Sequence, residues 1–326
     1  MSARRRGKTT GFVATLVTGL IAVVCALTGC TNHHHTSGRS GSDQTSPADF
    51  PATVAPPGGQ PVTLEKRPEK IVSLSPADTE ILLAIGAGVQ VVAVDRLSDY
   101  PASAPHSTLD GTQPNIEAIA GYQPDLVIAS NDPGGLVSGL SRIKVPVLLT
   151  TAPNTLDTAY AEWSLIGKAT GHATQADGLV RRSKDEIAKI VHDAAKPGRT
   201  LSYYHELDQT LYTVTSRTFI GNVYSLLGLR NIADAADSAS ANGYPQLSAE
   251  QVIKANPDLI FLADGTCCGQ NAATIGARPG WSTLTAVRSG DVVMLDDAES
   301  SRWGPRIVDL IRTVSDAVAK AARRNG

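Results

Sequence analysis

The chain has 326 residues, 42% hydrophobic and 18% charged, with 29 basic against 31 acidic side chains and a formal charge of −2. That balance, with no basic stripe, excludes a nucleic-acid binder. Four cysteines are too few to act as a disulfide scaffold in place of a hydrophobic core.

At the start, Arg4, Arg5, Arg6 and Lys8 precede an apolar run from about Phe12 to Leu27 and small residues before Cys30. This is the layout of a secretory signal. A membrane span needs about 20 apolar residues, so an uncleaved anchor is the weaker alternative. Leu27-Thr28-Gly29-Cys30 resembles the lipobox of bacterial lipoproteins, which implies a signal peptide over residues 1–29 and lipid on Cys30. Its loss removes four bases and no acid, which leaves a charge of −6. Residues 30–62 are rich in Ser, Thr, Gly and Pro and read as a disordered tether. His33, His34 and His35 lie in it without a fixed frame for a metal.

From Thr63 onward the pattern alternates. Lys70–Leu74, Gln90–Val94, Asp125–Ala129 and Val145–Thr150 are short, apolar and rich in β-branched residues, as strands buried on both faces should be. Ser75, Pro76 and Gly86 bracket a helix between the first two. The order predicts a first lobe over residues 63–152 with a mainly parallel sheet. Residues 153–197 carry no strand signal. Trp163, Ile166, Ala169, Leu179, Ile187 and Ile190 predict a long linking helix, with a break near Gly171. Alternation resumes over 198–326, with strands predicted at 200–206, 211–215, 258–263 and 291–296 and a closing helix from about Pro305 to Ala321. The fold class is therefore α/β: two lobes, mainly parallel sheets, a rigid helix between them and a ligand cleft where they face.

One phrase occurs twice: "NIEAIAGYQPDLVIA" from Asn115 and "SAEQVIKANPDLIFLA" from Ser248. Asn115 and Ser248 fit N-caps, and Gln251 completes a capping box. That makes Glu117 and Glu250, 133 residues apart, the second residue of a helix feeding a strand in each lobe. An acid there complements a helix dipole, but two in matched places suit a pseudo-symmetric basic partner.

The pieces "IVSLSPADTEILLAIGAG", "SDYP", the two repeats, "YPQLSAEQV" and "RWGPRIVDLI" resemble, in order, the ABC-importer binding proteins that serve cobalamin, haem and ferric siderophores, above all the cobalamin branch. The resemblance implies a monomeric, lipid-anchored carrier with no cofactor and no other membrane attachment. It hands a small-molecule ligand to a permease and its ATPase, with Glu117 and Glu250 docking on permease arginines. It also implies aromatic cleft residues at Tyr212 and Tyr244. At the matching first-lobe positions stand Leu97, Gly111 and Ser130, none of them aromatic.

Further cleft candidates sit at strand ends or before the last helix: Asp95, Arg96, Asp99, Tyr204, Glu206, Glu299, Arg302 and Trp303. Cys267 and Cys268 fall on a loop after the equivalent strand of the second lobe, either as a vicinal disulfide or as two thiols, and stiffen that loop. The chain holds no Gly-x-Ser-x-Gly, His-Glu-x-x-His or phosphate loop, so an enzyme is not expected. His106, His172, His192 and His205 show no ligand spacing, and no metal site is assigned. An exported metal-ion receptor and a non-transport envelope binding protein are the alternative readings.

Overall fold

The computed structural model describes residues 49–325, so Cys30, the signal and His33–His35 lie outside the described residues. The folded body begins earlier than composition suggests. β1 (Ala52–Val54), inside what reads as tether, pairs antiparallel with β2 (Val62–Leu64), which starts at the last tether residue. The correction has a simple cause: Val54 and Leu64 are buried in the main core and Phe50 and Val62 pack against it, apolar anchors that order a segment otherwise rich in Pro and Gly.

The first lobe runs β3 (Ile71–Ser73), α1 (Pro76–Ala84), β4 (Val91–Val94), α2 (Ile116–Ala120), β5 (Leu126–Ala129), α3 (Leu136–Arg142) and β6 (Val147–Leu149). Ser75 caps α1 through the Asp78 N–H, Pro76 opens it, and Gly86, at φ 87°, follows its end. Two helices follow: α4 (Leu156–Thr170) and α5 (Ala173–Asp193). They do not form one rod. Gly171, at φ 75°, ends α4, and α5 folds back along it. Ser164 pairs with Asp177 at 3.2 Å, and Lys184 lies 3.6 Å from Asp157 and 4.9 Å from the Tyr160 ring centre, as only an antiparallel hairpin permits.

The second lobe runs β7 (Ser202–Glu206), α6 (Phe219–Leu226), β8 (Arg230–Asn231), α7 (Ala249–Ala255), β9 (Leu259–Leu262), α8 (Gly265–Cys268), α9 (Ala272–Ala277), α10 (Thr285–Arg288), β10 (Val292–Met294) and α11 (Ile307–Asn325). The strand predicted at 211–215 is absent; only Tyr212 bridges, to Gln246. The short β8 takes its place because the Asn231 side chain bonds the Tyr203 hydroxyl and the Val214 carbonyl, a tertiary cue rather than an apolar run.

Both sheets are wholly parallel, in the orders β4-β3-β5-β6 and β8-β7-β9-β10. Numbered within each lobe, these are the same order, second-first-third-fourth. Side chains alternate across each strand. Ile71, Leu126, Ile128, Tyr203, Leu259 and Phe261 enter one cluster that runs through both lobes and includes Trp163 and α11 residues such as Ile311. Val72 and Val127 face a first-lobe cluster, and Tyr204 and Ile260 a second-lobe one. The lobes therefore share a continuous core.

Candidate ligand cleft and docking residues

In open α/β sheets ligands bind beyond the carboxyl ends of the strands. Those ends supply the walls of a cavity of about 540 Å³ between the lobes. Ser75, Pro76 and Ala77 follow β3, Leu97 and Asp99 follow β4, and Ser130 follows β5. Thr266 and Cys267 follow β9; Asp296, Asp297, Ala298, Ser301, Arg302 and Trp303 follow β10. A larger hollow of about 700 Å³ lies between α1, the Tyr100–Pro105 loop and the start of α11. It draws on no strand end of the second sheet.

The floor of the cleft is built by ion pairing across the lobes. Glu80, on α1, is buried, with 2% of its side chain exposed. Its Oε1 accepts from Arg302 Nη1 at 3.0 Å and Arg306 Nη2 at 2.7 Å, and its Oε2 from Arg306 Nε at 3.1 Å. Arg302 also donates to Asp99 at 3.0 Å and to the Leu97 carbonyl at 2.8 Å. Arg302 thus lines the cleft with three of its five N–H donors engaged by the protein. Gly304 is required beside it, since a Cβ there would lie 2.9 Å from Glu80 Oε2. The indole of Trp303 donates to Glu162 at 2.7 Å, while its carbonyl accepts from Trp163 at 3.1 Å, which fixes the ring at the cleft wall. Behind Pro76 and Ala77, Asp78 accepts from Thr150 at 2.8 Å. Burial, then the neighbouring Asp78 carboxyl, holds Glu162 well above the carboxylate range; burial raises Asp78 as well. Two such acids side by side retain a proton between them.

Several predicted cleft residues lie elsewhere. Tyr204 is fully buried, edge-on to Trp281 at 6.0 Å. Glu206 is fully buried in a bidentate pair with Arg278, both bonds 2.6 Å. A position at the end of β7 put them in range, but the pleat turns both toward the core that α7, α9 and α10 cover. Asp95 is buried and bonds the Ser98 hydroxyl; burial lifts its pKa. Arg96 turns outward to Asp110 at 3.1 Å. Tyr212 and Tyr244, 43% and 44% exposed, stand on the segment after β7 and do not line the cavity. Leu97, 47% exposed, does line it. Gly111 cannot carry an aromatic ring, because a Cβ there would meet the Leu74 carbonyl oxygen at 2.3 Å. Glu299 reaches Arg306 at 3.5 Å, outside the cavity.

Asp296 and Asp297 also line the cleft, at the end of the run 291–296, where the strand-end rule places ligand-facing residues. Cys267 and Cys268 form a disulfide. Of the histidines, His205 is buried against the Tyr224 hydroxyl at 2.7 Å, with its pKa driven down to about 3 by burial. His172 faces Arg67 and His192 faces Asp193. Among the described residues no group of three or more His, Cys, Asp or Glu side chains is placed to hold a metal ion.

Glu117 and Glu250 occupy matched places. Asn115 Oδ1 accepts from the Ala118 N–H at 3.0 Å, and Ser248 Oγ from the Gln251 N–H at 3.2 Å. Each Glu is thus the second residue of its helix, and each helix leads into the third strand of its sheet. Both acids are exposed, and among the described residues neither forms an ion pair.

The periplasmic binding protein family model matches residues 71–299, a span that takes in the first lobe, the hairpin and most of the second lobe. The chain belongs to the periplasmic binding protein family. The family is one of binding proteins. It is 28% identical over 308 residues to an uncharacterised ABC transporter substrate-binding lipoprotein of Bacillus subtilis, covering 92% of this chain and 95% of that one. It is 29% identical over 290 residues to a cobalamin-binding protein of Halobacterium salinarum, covering 85% and 76%. A crystal structure of a possible iron-binding periplasmic solute-binding protein of Staphylococcus epidermidis superposes with a TM-score of 0.67 at 28% identity, over 78% of this chain and 99% of the other. No helix among the described residues of this family member is long and apolar enough to cross a membrane.

Proposed function

We propose that the protein is the lipid-anchored binding component of an ABC importer. It takes a corrinoid or an iron chelate into the interlobe cleft and hands it to a membrane permease. The observation that carries this reading is the pairing of Glu117 with Glu250. Two exposed acids, one per lobe at the same place in the same sheet order, present a two-footed surface to a partner with two basic patches. Exposed ion pairs contribute only about 0–1 kcal/mol each, so they orient and speed docking more than they hold it. A carrier that must leave after delivery needs that weakness. The cleft supports the cargo half: both lobes contribute strand ends, and the walls combine Trp303, Leu97 and Pro76 with polar groups. The cobalamin-binding and iron-binding relatives bracket the cargo class. Cys30 is the proposed lipid site, and Tyr212 and Tyr244 are a proposed rim against which a large cargo rests.

The test is uptake by cells expressing Glu117→Lys/Glu250→Lys in place of the wild type. Transport should fall at least tenfold while ligand affinity and melting temperature stay unchanged. Wild-type uptake by the double variant removes the docking role. Absorbance spectra of the protein purified from its own cells separate corrinoid, haem and siderophore cargo.

A further inference from the structure

The wall of the cleft on the second lobe contains a disulfide. Cys267 and Cys268 are neighbours joined by a disulfide, both are exposed, and Cys267 faces the cavity. The turn that carries them is pinned from behind. The N–H groups of Thr266 and Cys267 donate to Asp297 Oδ2 at 3.0 and 2.9 Å. The Cys268 N–H donates to the Asp264 carbonyl at 3.2 Å. Gly265 lies so close to β10 that a Cβ would fall 2.4 Å from the Met294 methyl. The backbone is thus held by the protein, while Cys267 lines the space that cargo would fill. The corresponding loop of the first lobe, from Ser130 to Gly135, contains no sulfur.

We propose that the Cys267–Cys268 disulfide is a thiol-exchange site in the cargo cleft, opened by a small uncharged or cationic thiol, and that opening it weakens cargo binding. The second half rests on the cleft being the cargo site; the first half does not. In the reaction a thiolate attacks the Cys267 sulfur, the bond between the two cysteines breaks, and the Cys268 thiolate leaves and takes a proton from water. A second thiolate attacks the external sulfur of the mixed disulfide. It releases the oxidised small disulfide and leaves Cys267 as a thiolate that takes a proton from water. Two thiols are oxidised and one protein disulfide is reduced.

The charge around the bond selects the thiol. Asp99, Asp296 and Asp297 line the same cavity, and the two cations beside them, Arg302 and Arg306, are shared among Glu80, Asp99, Asp296 and Glu299, which leaves acids in excess. An anionic thiol is therefore repelled, and the effect should fade with salt. In the closed form the two side chains are locked by their ring with the intervening peptide bond. Once reduced, they gain rotamers that cargo must order again, which lowers affinity by about three- to tenfold. Linkage then requires bound cargo to protect the disulfide by the same factor.

The experiment treats the full-length protein with 2-mercaptoethanol or mercaptoacetate, alkylates free thiols and maps the products by mass spectrometry. Each rate is normalised to the same thiol acting on urea-unfolded protein. The neutral thiol should open the native bond at least threefold faster than the anionic one in low salt, with equal rates in high salt. A native protein inert to both thiols, while the unfolded chain reacts, overturns the exchange site. Equal rates in low salt overturn the charge selection.

Cyanocobalamin is then titrated into oxidised protein, into reduced protein freed of thiol and kept from air, and into Cys267→Ser/Cys268→Ser. The reduced protein and the double variant should bind alike, about three- to tenfold more weakly than the oxidised protein. Equal affinity in both redox forms overturns the cargo coupling. Absence of cyanocobalamin binding in both forms instead removes corrinoid as the cargo, and the thiol-mapping result stands apart from it.

Discussion

The two lobes share one sheet order and one helix-into-strand phrase, yet their edges at the cleft differ. The first lobe offers small or apolar residues, Ser75, Pro76, Ala77, Leu97 and Ser130, with Asp99 as its acid. The second offers Asp296, Asp297, Thr266 and a disulfide turn. Parallel sheets of equal order place loops at equal positions, but nothing in the sheet constrains what those loops carry. The features common to both lobes serve assembly and, in the proposed function, docking, and the features that differ set the chemistry of the cleft.

The contrast can be broken first at the seam. Glu80→Ala leaves two largely buried guanidinium groups without their shared partner and should cost about 3–5 kcal/mol in urea unfolding. Asp99→Ala removes the exposed arm of the same Arg302 cluster and should cost less than about 1 kcal/mol. Equal costs for the two would mean that the lobes are not joined through Glu80.

The first-lobe edge can be sharpened next. Leu97→Tyr restores a ring where the backbone has room and should tighten binding of a flat cargo by about 0.5–1.5 kcal/mol in titration calorimetry. Gly111→Tyr should instead lower the melting temperature, because the Leu74 carbonyl occupies the path of its Cβ. A folded, tighter-binding Gly111→Tyr would refute this account of the missing rings.

The smallest effect belongs to the second lobe. Burial, and then the Glu206 carboxylate beside it, push Asp264 up to about 7. The folded state therefore holds a proton that the unfolded state releases near 4. The stability this contributes is fully present below about pH 4 and is lost as pH rises toward about 7. Asp264→Asn should melt about 2–4 °C above the wild type at pH 8 and show no gain at pH 4. A gain of equal size at both pH values would assign the effect to packing.

Legibility followed the range of the interactions. Ser75, Asn115 and Ser248 act within four residues of themselves, so the caps of α1, α2 and α7, and with them the positions of Glu117 and Glu250, could be read from the chain. Helix breaking at Gly171 was also legible, but the fold-back of α5 onto α4 depends on pairs such as Tyr160 with Lys184 that no local pattern encodes. Tyr204 and Glu206 share one strand face, as alternation requires, but what that face meets is not legible locally, because the elements covering it come from 40 or more residues later in the chain.

By itself the sequence determined the alternation of strands and helices, the two lobes, the doubled acidic helix start and the resemblance to a binding-protein family. These rest on periodicity, capping and short motifs, each satisfied within a few residues. Tertiary structure alone decided that Arg302 and Arg306 clasp Glu80, more than 200 residues away. It also turned Glu206 inward to Arg278 and brought Asp297 beneath the Cys267–Cys268 turn. Charges are satisfied by whatever partner the folded chain brings within reach, and that partner is set by the packing of both lobes on one shared core.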